Sequence, residues 1–122
     1  MSQHSDRMYV GHMRDACGKV ARRIAGLGWP EFQQDEKTQD AVIRALEIIG
    51  EAGSNVSPGY RSLYPESPWR VIKDLRNALI HEYANVRIDL MWNIATKDVS
   101  GLKKSLDKLL TDKTTLDPGL DI

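Results

Sequence analysis

Apolar residues recur along most of this chain at spacings of three and four, which is the pattern of amphipathic helices. The first such stripe predicts a helix over about residues 3–26 and consists of Tyr9, Met13, Ala16, Val20, Ile24 and Leu27. The sequence GLGWPEF follows it. Two glycines and a proline cannot continue a helix cheaply, so this segment is predicted to break the first helix.

A second helix is predicted over residues 36–55, with Asp35 as its N-cap. Its apolar stripe consists of Val42, Ala45, Leu46, Ile49 and Ala52. The next segment, SPGYRSLYPES, contains two prolines and a glycine. It is therefore predicted to be a loop with room for one short turn of helix.

The third predicted helix begins at SPW, with Ser67 as N-cap and Pro68 at the first helical position. On a helical wheel, Arg76 lies within about 60° of an apolar group at positions 69, 72, 79, 80 and 83. This arginine is therefore predicted to face the core or an interface. An arginine in such a place needs an anion, because an unpaired buried charge costs several kcal/mol or more.

Residues 89–110 show helical spacing again, and Ser100 and Gly101 are expected to split or kink this last helix. Residues 111–122 contain a Pro-Gly pair and few apolar anchors, so we expect a flexible C-terminal tail. Residues 1–110 are expected to form a single domain. The predicted fold class is all-α, a four- to five-helix up-down bundle.

Composition narrows the function classes. The 122 residues include 17 basic and 17 acidic side chains, so no global basic field draws the protein to nucleic acid. Nucleic acid binding would need a local basic patch, which we expect to combine Arg76 with residues of the basic first segment: Arg7, Arg14, Arg22 or Arg23. The start lacks a signal-peptide pattern, no apolar run could span a membrane, and Cys17 is the single cysteine. We therefore expect a cytoplasmic protein.

Two partners for Arg76 are open at this stage. One is an intramolecular carboxylate on the second helix, such as Glu47 or Glu51; the other is a phosphate group of a ligand, which suits the planar guanidinium. His81 follows five residues later, which on a regular helix rotates it about 140° away from Arg76. Either the helix ends near His81 and the chain turns the imidazole back, or two copies of the chain assemble the site about a two-fold axis.

The octapeptide RNALIHEY, residues 76–83, matches an R-x4-H-x-Y signature. The flanking segments DEKTQDAVIRALEIIGEA and PWRVIKDLRNALIHEYANV, and the later LMWNIATKDVSGLK, accompany it in order. Together these residues resemble HepT-like proteins of the HEPN superfamily, over about residues 5–110.

The resemblance implies a HEPN-like homodimer that acts as a metal-independent endoribonuclease, the toxin of a type VII-like toxin–antitoxin system. It implies that Arg76 and His81 are the catalytic pair, supported by Asn77. It also implies that Tyr83 accepts AMP from a partner, an MntA-like minimal nucleotidyltransferase antitoxin. The alternative is a non-catalytic helical subunit that binds substrate for such a nucleotidyltransferase.

These residues suit the implied chemistry, and no cofactor is expected. An imidazole titrates near neutral pH, so His81 could move protons at the 2′-oxygen or the leaving 5′-oxygen. Arg76 could stabilise charge on the phosphoryl oxygens in the transition state. The expected product is a 2′,3′-cyclic phosphate, since the 2′-hydroxyl is the available nucleophile. His4 and His12 lack paired carboxylates at metal-ligand spacing.

Overall fold

A computed structural model describes residues 3–81 and 87–112, with the backbone alone for Gln3, His4 and His81. Within these ranges the chain is helical and forms no strand, which confirms the all-α prediction. The helices are α1 (Gln3–Ile24), α2 (Trp29–Gln34), α3 (Glu36–Ser54), α4 (Pro58–Leu63), α5 (Trp69–His81), α6 (Ile88–Asn93) and α7 (Val99–Thr111). A π-helical segment, Ile94–Asp98, joins α6 to α7.

The four longer helices pack as an up-down bundle. α1 lies against both α3 and α7, and α5 lies against α3. The direction of α7 follows from Arg7 near the start of α1, whose guanidinium donates hydrogen bonds to the carbonyl oxygens of Leu109 (3.3 Å) and Leu110 (2.8 Å) at the end of α7. The predicted bundle is therefore confirmed, and the short helices α2, α4 and α6 are additions to it.

The core lies between these helices and contains apolar side chains from every long helix. Its largest fully buried members are Tyr60, Phe32, Met13, Leu46, Ile49, Met91 and Leu106. Such side chains contribute about 1.5–3 kcal/mol each relative to exposure. The predicted stripes of α1 and α3 supply much of this core, because their three- and four-residue spacing keeps one face of each helix buried.

The predicted breaks between the first helices are mostly correct. α1 ends at Ile24, and Gly26 adopts φ +78°, a conformation that favours glycine. Asp35 caps α3 as predicted, since its side chain accepts a hydrogen bond from the Thr38 N–H at 3.0 Å. The segment between them is not wholly irregular, because it contains α2. Glu31 supports the start of α2 by accepting a hydrogen bond from the Gly28 N–H at 2.7 Å.

A buried carboxylate ties α1 to the turn between α3 and α4. Asp6 is 1% exposed and accepts hydrogen bonds from Ser57, one from its N–H at 2.8 Å and one from its hydroxyl at 2.7 Å. The same hydroxyl accepts a hydrogen bond from the Tyr60 N–H and so caps α4. The single turn of helix for which the sequence left room is thus α4, held to α1 through Asp6.

The predicted kink at Ser100 and Gly101 is wrong, because both residues lie inside regular α7. The irregularity comes earlier, in the π-helical segment, where the Val99 N–H donates to the carbonyl oxygen of Ile94 five residues back. A π-helical turn accommodates one extra residue. Met91, Ile94 and Val99 are all buried as a result, although a regular α-helix would rotate their faces apart.

Candidate active site

Helix α5 carries the candidate motif, and two glycines of α3 let it approach closely. A Cβ built on Gly50 would lie 3.2 Å from the Cβ of Arg76, and one on Gly53 would meet the Cγ2 of Ile72. At its start, α5 is held by Trp69, whose indole N–H donates a hydrogen bond to the carbonyl oxygen of Tyr64 at 2.8 Å. The helix begins at Trp69, one residue after the predicted first position, Pro68.

Arg76 lies at the edge of the α3–α5 contact and not in the core. Its backbone and Cβ lie over Gly50, whereas its side chain is exposed. The buried residues of α5 are Ile72 and Leu75, so the apolar face is rotated by about one residue from the predicted one. Ile80, predicted on that face, is 53% exposed. Arg76 therefore borders the packed face of α5 and remains accessible to a ligand.

Of the two partners considered for Arg76, the intramolecular carboxylate of Glu47 or Glu51 is not supported. Among the residues that the structure describes, no carboxylate forms an ion pair with Arg76. Both glutamates are exposed and lie near it in the same open groove. Because the guanidinium stays in water, its charge needs no internal anion, and it is free to meet an external one.

A basic groove of ≈ 740 Å³ lies on the side of Arg76 that faces the start of α5. Among the described residues its cationic side chains are those of Arg61, Arg70, Lys73 and Arg76, and its one acidic side chain is that of Asp74. Gly50, Gly53 and Ser54 of α3 also line it, and two glycines and a serine fill little of its space. We refer to this site as the basic groove.

A second groove, of ≈ 560 Å³, lies on the other side of Arg76 and differs in character. It is lined by Glu47, Glu51, Leu79 and Ile80 together with Gly50 and Arg76. Two carboxylates and two apolar side chains do not suit a polyanion. Arg76 thus stands between a basic surface and an acidic, apolar one.

The structure assigns the other predicted residues to different places. Asn77 is exposed and lines the basic groove beside Arg76. His81 lies in the last described turn of α5, so Arg76, Asn77 and His81 share one helix. Its side chain, and Tyr83 altogether, lie outside the described residues.

The basic patch expected from the first segment does not form around Arg76. Arg7 binds the end of α7, and Arg14 pairs with Asp15 at 3.2 Å and with Asp107 at 3.8 Å. Arg61, Arg70 and Lys73 line the groove in their place. Spacing of three along one helix could have pointed to Arg70 and Lys73, whereas Arg61 comes from α4 and only the tertiary fold reveals it.

Other chemistries find little support in the described part of the chain. It contains no group of three or more His, Cys, Asp or Glu side chains placed to hold a metal ion. Burial raises the pKa of the Cys17 thiol to about 12, which keeps it a neutral, unreactive side chain. Nor is any helix in the described ranges both long and apolar enough to cross a bilayer.

Comparison with known proteins places the chain in a family. The family model for ribonuclease HepT-like proteins matches residues 13–109, which include α3, α5 and the whole motif region. A protein of Thermococcus cleftensis named "Probable ribonuclease HepT" is 36% identical over 107 residues, 88% of this chain and 97% of its own length.

Two further relatives support the same assignment. A protein of Caldanaerobacter subterraneus named "Putative RNase" is 33% identical, over 85% of this chain and 93% of its own length. One of Methanocaldococcus jannaschii, with a similar name, is 39% identical over 67% of this chain and 68% of its own length. No solved structure gives a significant match. With the motif, the bundle and these matches in agreement, the chain belongs to the ribonuclease HepT-like family of the HEPN superfamily.

Proposed function

We propose that this protein is a metal-independent endoribonuclease whose Arg76 and His81 act on a phosphodiester of RNA. The observation that supports it best is the state of Arg76, which is exposed, lacks an ion-pair partner among the described residues and stands at the end of a basic groove. A guanidinium in this state suits a phosphoryl group that gains charge in the transition state. The names of the relatives agree with this activity.

The catalytic groups have separate roles. The imidazole of His81 takes the proton from the 2′-hydroxyl or gives one to the leaving 5′-oxygen, and the 2′-oxygen attacks the adjacent phosphorus. The products are a 2′,3′-cyclic phosphate and a 5′-hydroxyl. Arg76 binds the phosphoryl oxygens, and removal of such a group typically costs about 10²- to 10³-fold in rate. Asn77 is placed to help Arg76 orient the phosphate, because it lines the same groove.

The site is completed by a second subunit in this proposal. Arg76 and His81 lie on one helix, five residues apart, and therefore on faces about 140° apart. An isologous dimer would bring the arginine of one protomer towards the histidine of the other. The acidic, apolar groove with its exposed Ile80 offers a surface for that contact next to Arg76.

Regulation is proposed to follow the family pattern. The chain would be the toxin of a type VII-like toxin–antitoxin system in the cytoplasm, and an MntA-like minimal nucleotidyltransferase would neutralise it by AMP transfer to Tyr83. The anionic adduct would lie two residues from His81 and repel the RNA backbone. A single HEPN-like domain over residues 1–110 belongs to the same proposal. The tail expected over 111–122 lies, from residue 113 onwards, outside the described residues.

The first test is RNA cleavage by the purified chain in the presence of EDTA. Wild type is expected to cleave and to leave 2′,3′-cyclic phosphate ends, whereas Arg76→Ala and His81→Ala lose activity while keeping the helical circular dichroism spectrum. An inert wild type would overturn the proposal and favour the substrate-binding subunit of a nucleotidyltransferase. Activity that EDTA abolishes would contradict the metal-independent mechanism.

The shared site has its own test. Arg76→Ala and His81→Ala protomers are mixed under conditions that exchange subunits, and formation of mixed dimers is checked by native mass spectrometry. Each mixed dimer then keeps one intact arginine and one intact histidine, on different protomers. Recovery of activity supports the two-subunit site, because neither protomer alone has both groups. Mixed dimers that stay inactive would show that each protomer uses its own pair.

A further inference from the structure

The basic groove has more positive charge than the reaction at one phosphate needs. In the proposed mechanism Arg76 binds the scissile phosphate, yet Lys73, Arg70 and Arg61 line the same groove. Asp74 is the one acidic residue of the groove in the described ranges. Its carboxylate lies 3.9 Å from the Nε of Arg70, and both side chains are exposed. Such a surface ion pair is weak, so it leaves most of the positive charge available.

Three of these cations follow one line along α5. Arg70, Lys73 and Arg76 are spaced by three residues, so neighbours lie about one turn apart on adjoining faces of the helix. The line spans an axial rise of about 9 Å, more than twice the roughly 3.4 Å axial rise per nucleotide of a stacked strand. It can therefore contact more than one phosphate of the same strand.

Arg61 adds a cation whose position is set by the fold. Its Nη2 donates hydrogen bonds to the carbonyl oxygens of Gly53 (3.3 Å) and Val56 (2.8 Å), at the end of α3. These bonds hold the guanidinium at the groove wall before any ligand binds. The groove thus combines one anchored cation with the exposed side chains of Arg70 and Lys73.

The contrast between the two grooves indicates on which side of Arg76 the RNA continues. Beyond Arg76 lie Glu47 and Glu51, which would repel a polyanion, whereas before it lie the cations. We propose that the basic groove binds an RNA phosphate adjacent to the scissile one, with Lys73 as its main contact. This inference rests on the proposed ribonuclease function for the nature of its ligand. The contact is to phosphate, so it adds affinity and not sequence preference.

Binding of an uncleavable RNA tests the groove without relying on cleavage. The probe is a fluorescein-labelled 2′-O-methyl oligoribonucleotide, which lacks the nucleophile, and binding is followed by anisotropy. Lys73→Gln is expected to weaken binding several-fold at about 50 mM salt and to lower the slope of log affinity against log salt by about 0.7. Lys73 is exposed, so an unchanged melting temperature is expected to accompany this change.

The matched control is Lys104→Gln. Lys104 is also an exposed helical lysine, but it lies with Cys17 and Ala21 in a groove between α1 and α7. The Lys104→Gln variant should bind the probe as tightly as wild type does. Equal affinities and salt slopes for wild type and Lys73→Gln would overturn the inference, as would failure of wild type to bind.

Cleavage kinetics then separate this inference from the proposed function. A dinucleoside monophosphate contains only the scissile phosphate, so Lys73→Gln should impair its cleavage much less than that of a longer RNA. For a longer RNA the variant should raise KM several-fold with little change in kcat. If wild type cleaves RNA and Lys73→Gln has the same KM, only the proposed role of the basic groove is refuted. If Lys73→Gln binds RNA more weakly but wild type never cleaves it, only the proposed ribonuclease activity is refuted.

Discussion

Arg76 lies directly over Gly50, and a Cβ on that glycine would come within 3.2 Å of the arginine Cβ and 3.4 Å of its Cγ. This close approach determines the position of the Arg76 guanidinium between the two grooves. We expect Gly50→Ala to shift α5 by a few tenths of an ångström and to lower kcat for RNA, since a small misplacement of a catalytic group is costly. Its stability should change by less than about 1 kcal/mol, because alanine favours the helix. Cleavage assays and urea unfolding check both; unchanged kcat would contradict this role of Gly50.

Gly53 is the position where added volume should damage the fold itself. A Cβ there would clash with the Cγ2 of Ile72, a buried side chain that cannot move into solvent, and would also meet the Met13 sulfur at 3.3 Å. Gly53→Ala is therefore expected to lose about 1–3 kcal/mol of unfolding free energy. Gly101→Ala is the control.

At Gly101, in exposed regular α7, a Cβ would have no neighbour within 4 Å. The substitution should add about 0.5–1 kcal/mol through helix propensity. Chemical denaturation of Gly53→Ala and Gly101→Ala measures both changes in unfolding free energy. A destabilised Gly101→Ala would mean that the glycine is needed for a bend that the structure does not have.

The buried carboxylate of Asp6 is expected to stabilise the α3–α4 turn. Asp6→Ala removes both acceptors of Ser57, so the N–H and hydroxyl of that residue lose their partner in a poorly hydrated place. We expect a loss of about 1–3 kcal/mol in unfolding free energy. Amide hydrogen exchange should show faster exchange at Ser57 in the variant, whereas equal rates would mean that water replaces the carboxylate.

Cys17 should resist thiol reagents in the folded protein. Burial raises its pKa from 9.0 to about 12, so little thiolate exists at neutral pH. Iodoacetamide at pH 8 is expected to label the urea-unfolded chain far faster than the native one. Comparable labelling rates without denaturant would contradict the burial of this thiol.

The same shift predicts an alkaline loss of stability. Above about pH 9 the unfolded chain releases the Cys17 proton while the folded one retains it, so the unfolding free energy falls as pH rises towards 12. Tyr60 adds to the fall above pH 10, since burial raises its pKa to about 12. Thermal melts across this range check the sign, and Cys17→Ala should start its decline at higher pH than wild type.

Tyr83→Phe tests the proposed regulation. The phenylalanine lacks the hydroxyl that would accept AMP, so the variant should retain cleavage of RNA yet escape neutralisation by the nucleotidyltransferase. Intact mass spectrometry after incubation with partner and ATP measures the modification. Tyr9→Phe, a substitution on α1, is the control that should remain modifiable. Persistent neutralisation of Tyr83→Phe would exclude this residue as the acceptor.

Much of the fold could be predicted from the order of residues, because helices are local. The stripes of α1 and α3, the cap at Asp35 and the all-α class each depend on contacts between residues a few positions apart. The motif that carries the family resemblance is local as well, since Arg76, Asn77 and His81 lie within two turns of one helix.

What the sequence could not decide depends on packing between helices. A wheel cannot tell that Arg76 lies over Gly50 with its charge in water, because the rotation of α5 is determined by the contacts of Ile72 and Leu75 with α3. Nor can it bring Arg61 of α4 and Lys73 of α5 to one groove, since that depends on how the folded chain packs. The helices and the motif could thus be predicted from the local spacing of residues. The accessibility of the arginine and the basic groove beside it arise from long-range packing, which no local pattern encodes.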